Sequence, residues 1–153
     1  MDYELRPASE ADQEFCFRLN EACFRERIER VRGWNEAAER LDCAAQFHPG
    51  SDSIILVHGR AIGHLAIDRH DDHVELRMLL LAPDFHRHGI GSSLLRTIVD
   101  LARATRVPAT LWVTEWNEAA IRLYRRFGFH VVDEIFDPVK GVRKLRMATA
   151  VVP

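Results

Sequence analysis

One stretch constrains the fold of this chain more than any other. Leu79-Leu80-Leu81-Ala82-Pro83 is an apolar run that ends on a proline, and Asp84-Phe85-His86-Arg87-His88-Gly89-Ile90-Gly91 follows as a basic, glycine-containing loop. Ser92 then leads into a segment with Ile90, Leu94, Leu95, Ile98, Leu101 and Ala102 on one helical face. A strand, a tight loop and an amphipathic helix in that order make a pocket for phosphate. Glycines let backbone approach a ligand, first-turn amides point outward, and the helix dipole favours negative charge there. Arg87 and His88 add basic side chains at the same place.

Two common phosphate loops are excluded. A Walker loop requires Gly-Lys-Ser/Thr, and Gly91-Ser92-Ser93 has no lysine. A dinucleotide fingerprint requires a third glycine where Leu94 stands.

A second motif lies downstream. In Asn117-Glu118-Ala119-Ala120-Ile121-Arg122-Leu123-Tyr124-Arg125-Arg126-Phe127-Gly128-Phe129, Asn117 is a good helix N-cap. Ala120, Leu123, Tyr124 and Phe127 repeat at helical spacing, and Arg125 and Arg126 suit the negative end of the dipole. Gly128 is placed to end the helix in a left-handed cap.

Together, His86-Arg87-His88-Gly89-Ile90-Gly91 and the Asn117–Phe129 segment resemble the Gcn5-related N-acetyltransferase (GNAT) family. The family pattern is Arg/Gln-x-x-Gly-x-Gly/Ala after a strand, then Asn-x-x-Ala-x-x-x-Tyr-x-x-x-Gly-Phe. His86 departs from the usual Arg or Gln, and Arg87 stands where the family often has Gly. Gly33-Trp34-Asn35-Glu36 looks like a Gly-Trp-Asp/Asn-Glu segment of one branch, and Gly59 to Leu65 looks like the family's second hairpin.

The resemblance implies acetyl-CoA as acyl donor, with a primary amine of a small molecule or peptide as acceptor. It implies that the backbone of Leu79, Leu80 and Leu81 holds pantetheine beside a bulge near Leu79. Arg87, His88, Gly89, Ile90, Gly91 and Ser92 would hold pyrophosphate, and Asn117, Ala120 and Tyr124 would line the far wall. Tyr124 would protonate the departing thiolate, since a phenol is protonated at neutral pH. Glu75 shares a strand face with Arg77, Leu79 and Leu81, and would serve as general base or else pair with a neighbour. Trp34, Glu36 and Glu115 would border the acceptor; Glu36 also reads as a first-turn helix charge. A non-catalytic acyl-CoA sensor and an enzyme for longer acyl chains are the alternative readings.

The chain's 153 residues suit one domain, 1–153, with a single core. The longest apolar run, Met78 to Ala82, is far too short to span a membrane. Met1-Asp2-Tyr3-Glu4 lacks a signal-peptide start, and Cys16, Cys23 and Cys43 are odd in number, which together imply a cytoplasmic, reduced protein. A net charge of -2 gives no basic face for nucleic acid. Neither His70-x-x-His73 nor His86-x-His88 has the spacing of a closed zinc site and no cysteine completes one, so no metal is expected.

The expected order of elements is a strand at Tyr3–Arg6, then a helix from Ser9-x-x-Asp12 to about Phe24. A second helix runs from Asn35 to Phe47. Strands follow at Ser53–Val57, Arg60–Arg69 and His73–Leu81, then the loop and its helix. Ala109–Thr114, the Asn117 helix, Phe129–Phe136 and Val142–Ala148 complete the chain. This is an α/β fold of the GNAT type, a mixed central sheet of about seven strands covered by helices on both faces, with exposed edges that would allow a homodimer.

Overall fold

The computed structural model describes residues 1–151. Seven strands form one mixed sheet: β1 (Glu4–Pro7), β2 (Ser53–Val57), β3 (Arg60–Arg69), β4 (Val74–Leu81), β5 (Ala109–Thr114), β6 (His130–Asp137) and β7 (Val142–Ala148). Their order across the sheet is β1-β2-β3-β4-β5-β7-β6. The pairing of β4 with β5 is parallel, while β1–β2, β2–β3, β5–β7 and β6–β7 are antiparallel. Four helices accompany them: α1 (Gln13–Arg32), α2 (Glu36–Gln46), α3 (Ile90–Ala104) and α4 (Glu118–Arg126). This is a mixed seven-stranded α/β sheet with its helices, as the resemblance implied.

The chain divides into two compact units. The first comprises Met1–Ala66 and Met78–Gly91. In its interior, Ala8, Cys16, Phe47 and Ile54 pack together, flanked by Phe15, Leu56 and Ala61. Two of its buried polar groups are paired with each other: His64 Nε2 and Asp52 Oδ2 lie 2.8 Å apart, and the same oxygen accepts the His48 amide at 3.0 Å. Burial is tolerated because each group has a partner.

Helix α1 extends to Arg32, eight residues past the expected end near Phe24. The added turns bury only Ile28. They are held by propensity and by pairs one turn apart: Arg25 with Glu21 at 2.7 Å and with Glu29 at 3.0 Å, and Arg30 with Glu26 at 2.7 Å. Nothing breaks the helix until Gly33, whose positive φ of 79° ends it with an amide bond to the Glu29 carbonyl.

The second unit comprises Ile67–Arg77 and Ser92–Pro153, of which residues 67–77 and 92–151 are described. Leu94, Leu95, Ile98 and Ala102 of α3 are buried, as the apolar stripe requires. So are Leu111 and Val113 of β5, Ile121 of α4, Phe129, Val142 and Met147. β7, the later strand in sequence, lies between β5 and β6. That leaves β6 at the sheet edge with Val131, Val132, Ile135 and Phe136 exposed.

No disulfide joins Cys16, Cys23 and Cys43. Among the described residues no helix is long and apolar enough to cross a membrane.

Two outcomes follow from the first unit. A methyl group on Gly63 would sit 2.7 Å from the Leu80 carbonyl oxygen, 2.8 Å from Ile55 Cδ1 and 2.9 Å from Leu81 Cδ2. Gly63→Ala therefore destabilises by about 1–3 kcal/mol in denaturant unfolding, because the backbone carbonyl cannot swing away. The second concerns Asp12, whose two oxygens each accept an Arg6 guanidinium bond at 2.8 Å, with the Ser9 amide adding a third at 2.8 Å. The Arg6 fork holds this carboxyl down at about 2 against an ordinary 3.8. A lowered folded-state value stabilises above the ordinary value and is lost as pH falls from about 4 to about 2. Asp12→Asn costs about 1–2 kcal/mol at pH 7, less than the full shift because Arg6 is partly exposed to screening solvent. That deficit shrinks toward zero in acid, which a pair of denaturation curves at neutral and low pH will check.

Candidate functional site

The first candidate segment is the end of β4 and the loop beyond it, within the first unit. Leu79 and Leu81 are half-buried and Leu80 is buried. The Leu81 carbonyl is claimed twice: His86 Nε2 donates to it at 2.8 Å and the Cys23 thiol at 3.3 Å. Burial pushes the Cys23 thiol up to about 11, so it stays protonated and remains a donor. The adjacent Ala82 amide donates to the Ile62 carbonyl at 2.7 Å. In a regular ladder counted from the His70–His73 bond at the hairpin turn, Leu81 would face Ile62; the pairing has absorbed one extra residue, as a bulge does.

The loop turns through a short 3-10 segment, Pro83–Phe85, closed by amide bonds from Phe85 to Ala82 and from His86 to Pro83. His88 Nε2 donates back to the Asp84 carbonyl at 3.2 Å. Both histidines thus bind the loop's own backbone. Arg87 and Gly89 have positive φ, 64° and 83°. This explains why a glycine would suit position 87, and why Gly89 is required where it stands. Helix α3 starts at Ile90, so the amides of Ile90 and Gly91 belong to its first turn, where no intrahelical acceptor exists. Ser92, the next residue of α3, belongs to the second unit.

The expected acceptor residues of the first unit lie at the α1–α2 junction. Trp34 is half-buried, packs 6.2 Å from Phe17, and carries the Arg25 guanidinium 5.2 Å above its ring. Its indole Nε1 is buried with no partner. Glu36 is an exposed first-turn residue of α2, 3.6 Å from Arg40 one turn on. The helix-charge reading therefore accounts for it.

The second candidate segment belongs to the second unit. Asn117 caps α4, its side chain accepting the Ala120 amide at 3.4 Å. Gly128 follows with φ 90°, as the helix-stop reading requires. Tyr124 is half-buried and packs 5.9 Å from Phe129. Burial pushes its phenol up to about 12, so it is a proton donor throughout the neutral range. Glu115 lies 3.7 Å from Arg143 on β7, and its amide bonds the Arg143 carbonyl.

Glu75 is half-buried on β4 and stands in register with Thr110 of β5. Arg77, which shares its strand face, gives its Nε to Asp68 Oδ2 at 3.0 Å. Asp68 and His70 surround Glu75 instead. Sequence periodicity could not find them, because they sit across a hairpin rather than along a strand face.

The family described as the acetyltransferase (GNAT) family matches residues 14–129. An uncharacterized N-acetyltransferase of Methanocaldococcus jannaschii is 28% identical over 98 residues, which span 58% of this chain and 43% of that protein. The chain thus matches less than half the length of that relative. Among solved structures, Ard1 from Thermoplasma volcanium superposes with a TM-score of 0.71 at 20% identity, covering 100% of both chains. Naa50 from Arabidopsis thaliana, solved with a bisubstrate analogue of coenzyme A and a peptide, gives 0.68 at 19% identity over 98% of this chain and 99% of its own.

The strain at Arg87 is measurable. Arg87→Gly exchanges a left-handed arginine for a residue at ease there, and should raise stability by about 0.5–1 kcal/mol after the extra freedom of glycine in the unfolded chain is set against it. Equilibrium denaturation of the two proteins decides it, and no gain would mean that the Arg87 side chain contributes as much as its backbone costs.

Proposed function

The chain belongs to the GNAT acetyltransferase family, and we propose that it transfers the acetyl group of acetyl-CoA directly to a primary amine of a small molecule or peptide. The observation that carries this reading is Tyr124, a phenol kept protonated by burial on a helix whose cap and stop match the family motif.

In this reading the whole chain forms one transferase domain, working in the reducing cytoplasm that three cysteines without a disulfide favour. The loop from Arg87 to Ser92 receives the pyrophosphate through glycine-permitted backbone and first-turn amides. Pantetheine lies along β4, and its bonds fall on Leu79 and Leu80 more than on Leu81, whose carbonyl already has two donors. Asn117 and Ala120 support the cofactor from α4. Trp34 supplies an apolar wall for the acceptor, and Glu36 and Glu115 supply exposed negative charge at its rim.

The chemistry has three parts. The acceptor ammonium gives a proton to Glu75, directly or through water, because only the free amine has a lone pair. The amine attacks the thioester carbon, and a β4 amide steadies the negative charge that grows on oxygen. As the carbon–sulfur bond breaks, Tyr124 gives its proton to the sulfur, and the nitrogen gives its second proton to solvent as the amide forms. Coenzyme A leaves as the thiol, and the phenol is restored from solvent.

The deciding experiment is thiol release from acetyl-CoA over a panel of polyamines, aminoglycosides, amino acids and short peptides, alongside calorimetric binding of acetyl-CoA. Turnover with one class names the acceptor. Binding with silence over the panel replaces this reading by an acyl-CoA sensor, and failure to bind acetyl-CoA refutes both. Tyr124→Phe should lower kcat by about a hundredfold while acetyl-CoA affinity changes less than about twofold. Equal losses in both would make the hydroxyl structural.

A further inference from the structure

The hairpin joining β3 to β4 carries a cluster of ligand-type side chains of which acetyl transfer uses only Glu75. The His70 amide donates to the His73 carbonyl at 2.9 Å, closing the turn. Two residues further in, Asp68 and Glu75 face each other across the ladder on the same side of the sheet. Asp68, His70 and Glu75 each present one ligand atom, and these atoms all lie within 4.8 Å of one another. One strand along, Thr110 stands in register with Glu75, so its side chain rises beside the cluster on the same face. Thr110 is 4% exposed, and its hydroxyl is buried with no partner. A buried hydroxyl left open beside two carboxylates and an imidazole is a vacant polar position.

We propose that this cluster is a binding site for a divalent zinc-type cation. One oxygen of Asp68, one ring nitrogen of His70 and one oxygen of Glu75 supply three ligands, and a metal-bound water in the fourth position takes the Thr110 hydroxyl as its partner. Three mixed nitrogen and oxygen ligands with an open position are an established zinc arrangement. The charge favours it: two carboxylates meet one guanidinium, Arg77, which leaves one negative charge for a cation to neutralise. The supporting contacts are in place. Arg77 Nε holds Asp68 by Oδ2 at 3.0 Å, which fixes the carboxylate beside the cluster. The His73 ring stacks on that of His70 at 4.3 Å and 14°, and is itself bonded to Asp72 Oδ1 at 2.7 Å. Such outer partners orient ligands. His70 is exposed, which gives the ion its way in. Spacing along the chain argued against a closed histidine–cysteine site; this one is assembled across the hairpin. It shares Glu75 with the transfer chemistry, and an ion there would withdraw that carboxylate from use as a base.

The test reads binding alone, so it stands apart from whether the protein acetylates anything. Chelator-stripped protein is titrated calorimetrically with zinc chloride, and separately with cobalt chloride while the visible absorbance is followed. The expected result is about one ion per chain, with cobalt bands of low-coordinate intensity. His70→Ala and Asp68→Asn should each weaken uptake by at least about tenfold and bleach the bands. His130→Ala, an exposed histidine at the start of β6, should change neither. No uptake by the unaltered chain up to about 1 mM zinc would overturn the proposal. Uptake unchanged in both His70→Ala and Asp68→Asn would overturn it equally, by placing the ion elsewhere.

Discussion

The end of β4 depends on one oxygen atom. The Leu81 carbonyl accepts from the Cys23 thiol of α1 and from the His86 imidazole of the following loop. A strand terminus normally spends such a carbonyl on water or a neighbouring strand. Here two side chains from different parts of the first unit converge on it, so helix, strand end and loop are located by a shared point. Around the same point, Gly63 of β3 lies against Leu80 and Leu81 with no room for a side chain, and the Ala82 amide is tied to Ile62. The loop's conformation then follows: with His86 and His88 both turned onto backbone oxygens, Arg87 and Gly89 take the left-handed dihedrals that bring the chain round to the first turn of α3.

Much of the fold is legible in the sequence. β2, β3, β5 and β7 begin and end where β-branched residues and glycine or proline punctuation place them, at Ser53–Val57, Arg60–Arg69, Ala109–Thr114 and Val142–Ala148. Asn35 and Asn117 cap the helices they were assigned, since an Asn before an apolar stripe has a local physical role. The amphipathic α3 has its buried face where the period of 3.6 puts it. Local rules served well wherever the determining partners lay within one turn or one strand face.

What escaped were features decided at a distance. The last eight residues of α1 carry almost no apolar signal, because their helix is sustained by arginine–glutamate pairs and ended only by Gly33. The double capture of the Leu81 carbonyl joins residues 58 positions apart. Glu75 could be placed on a strand, but its neighbours Asp68 and Thr110 come from the strands on either side. The acceptor candidates Glu36 and Glu115 each have an arginine close by, Arg40 and Arg143, and the second of these comes from another strand. Charge patterns along a chain reveal helix faces; they do not reveal which charges meet across a sheet.

The order β5-β7-β6 has a consequence for how the protein is made. A chain leaving the ribosome presents β5 first and β6 next, but the strand that must lie between them emerges after both. Until residues 142–148 are free of the exit tunnel, β5 keeps an open edge and β6 has no neighbour, although its Val131, Val132, Ile135 and Phe136 are already out. An unpaired strand with that composition invites pairing with another nascent chain. The acidic residues Asp133, Glu134 and Asp137 within β6 would repel a second copy during that interval. Carboxylates that hold nearby amides and Arg143 on the finished edge thus have an earlier use, as guards of an unfinished sheet.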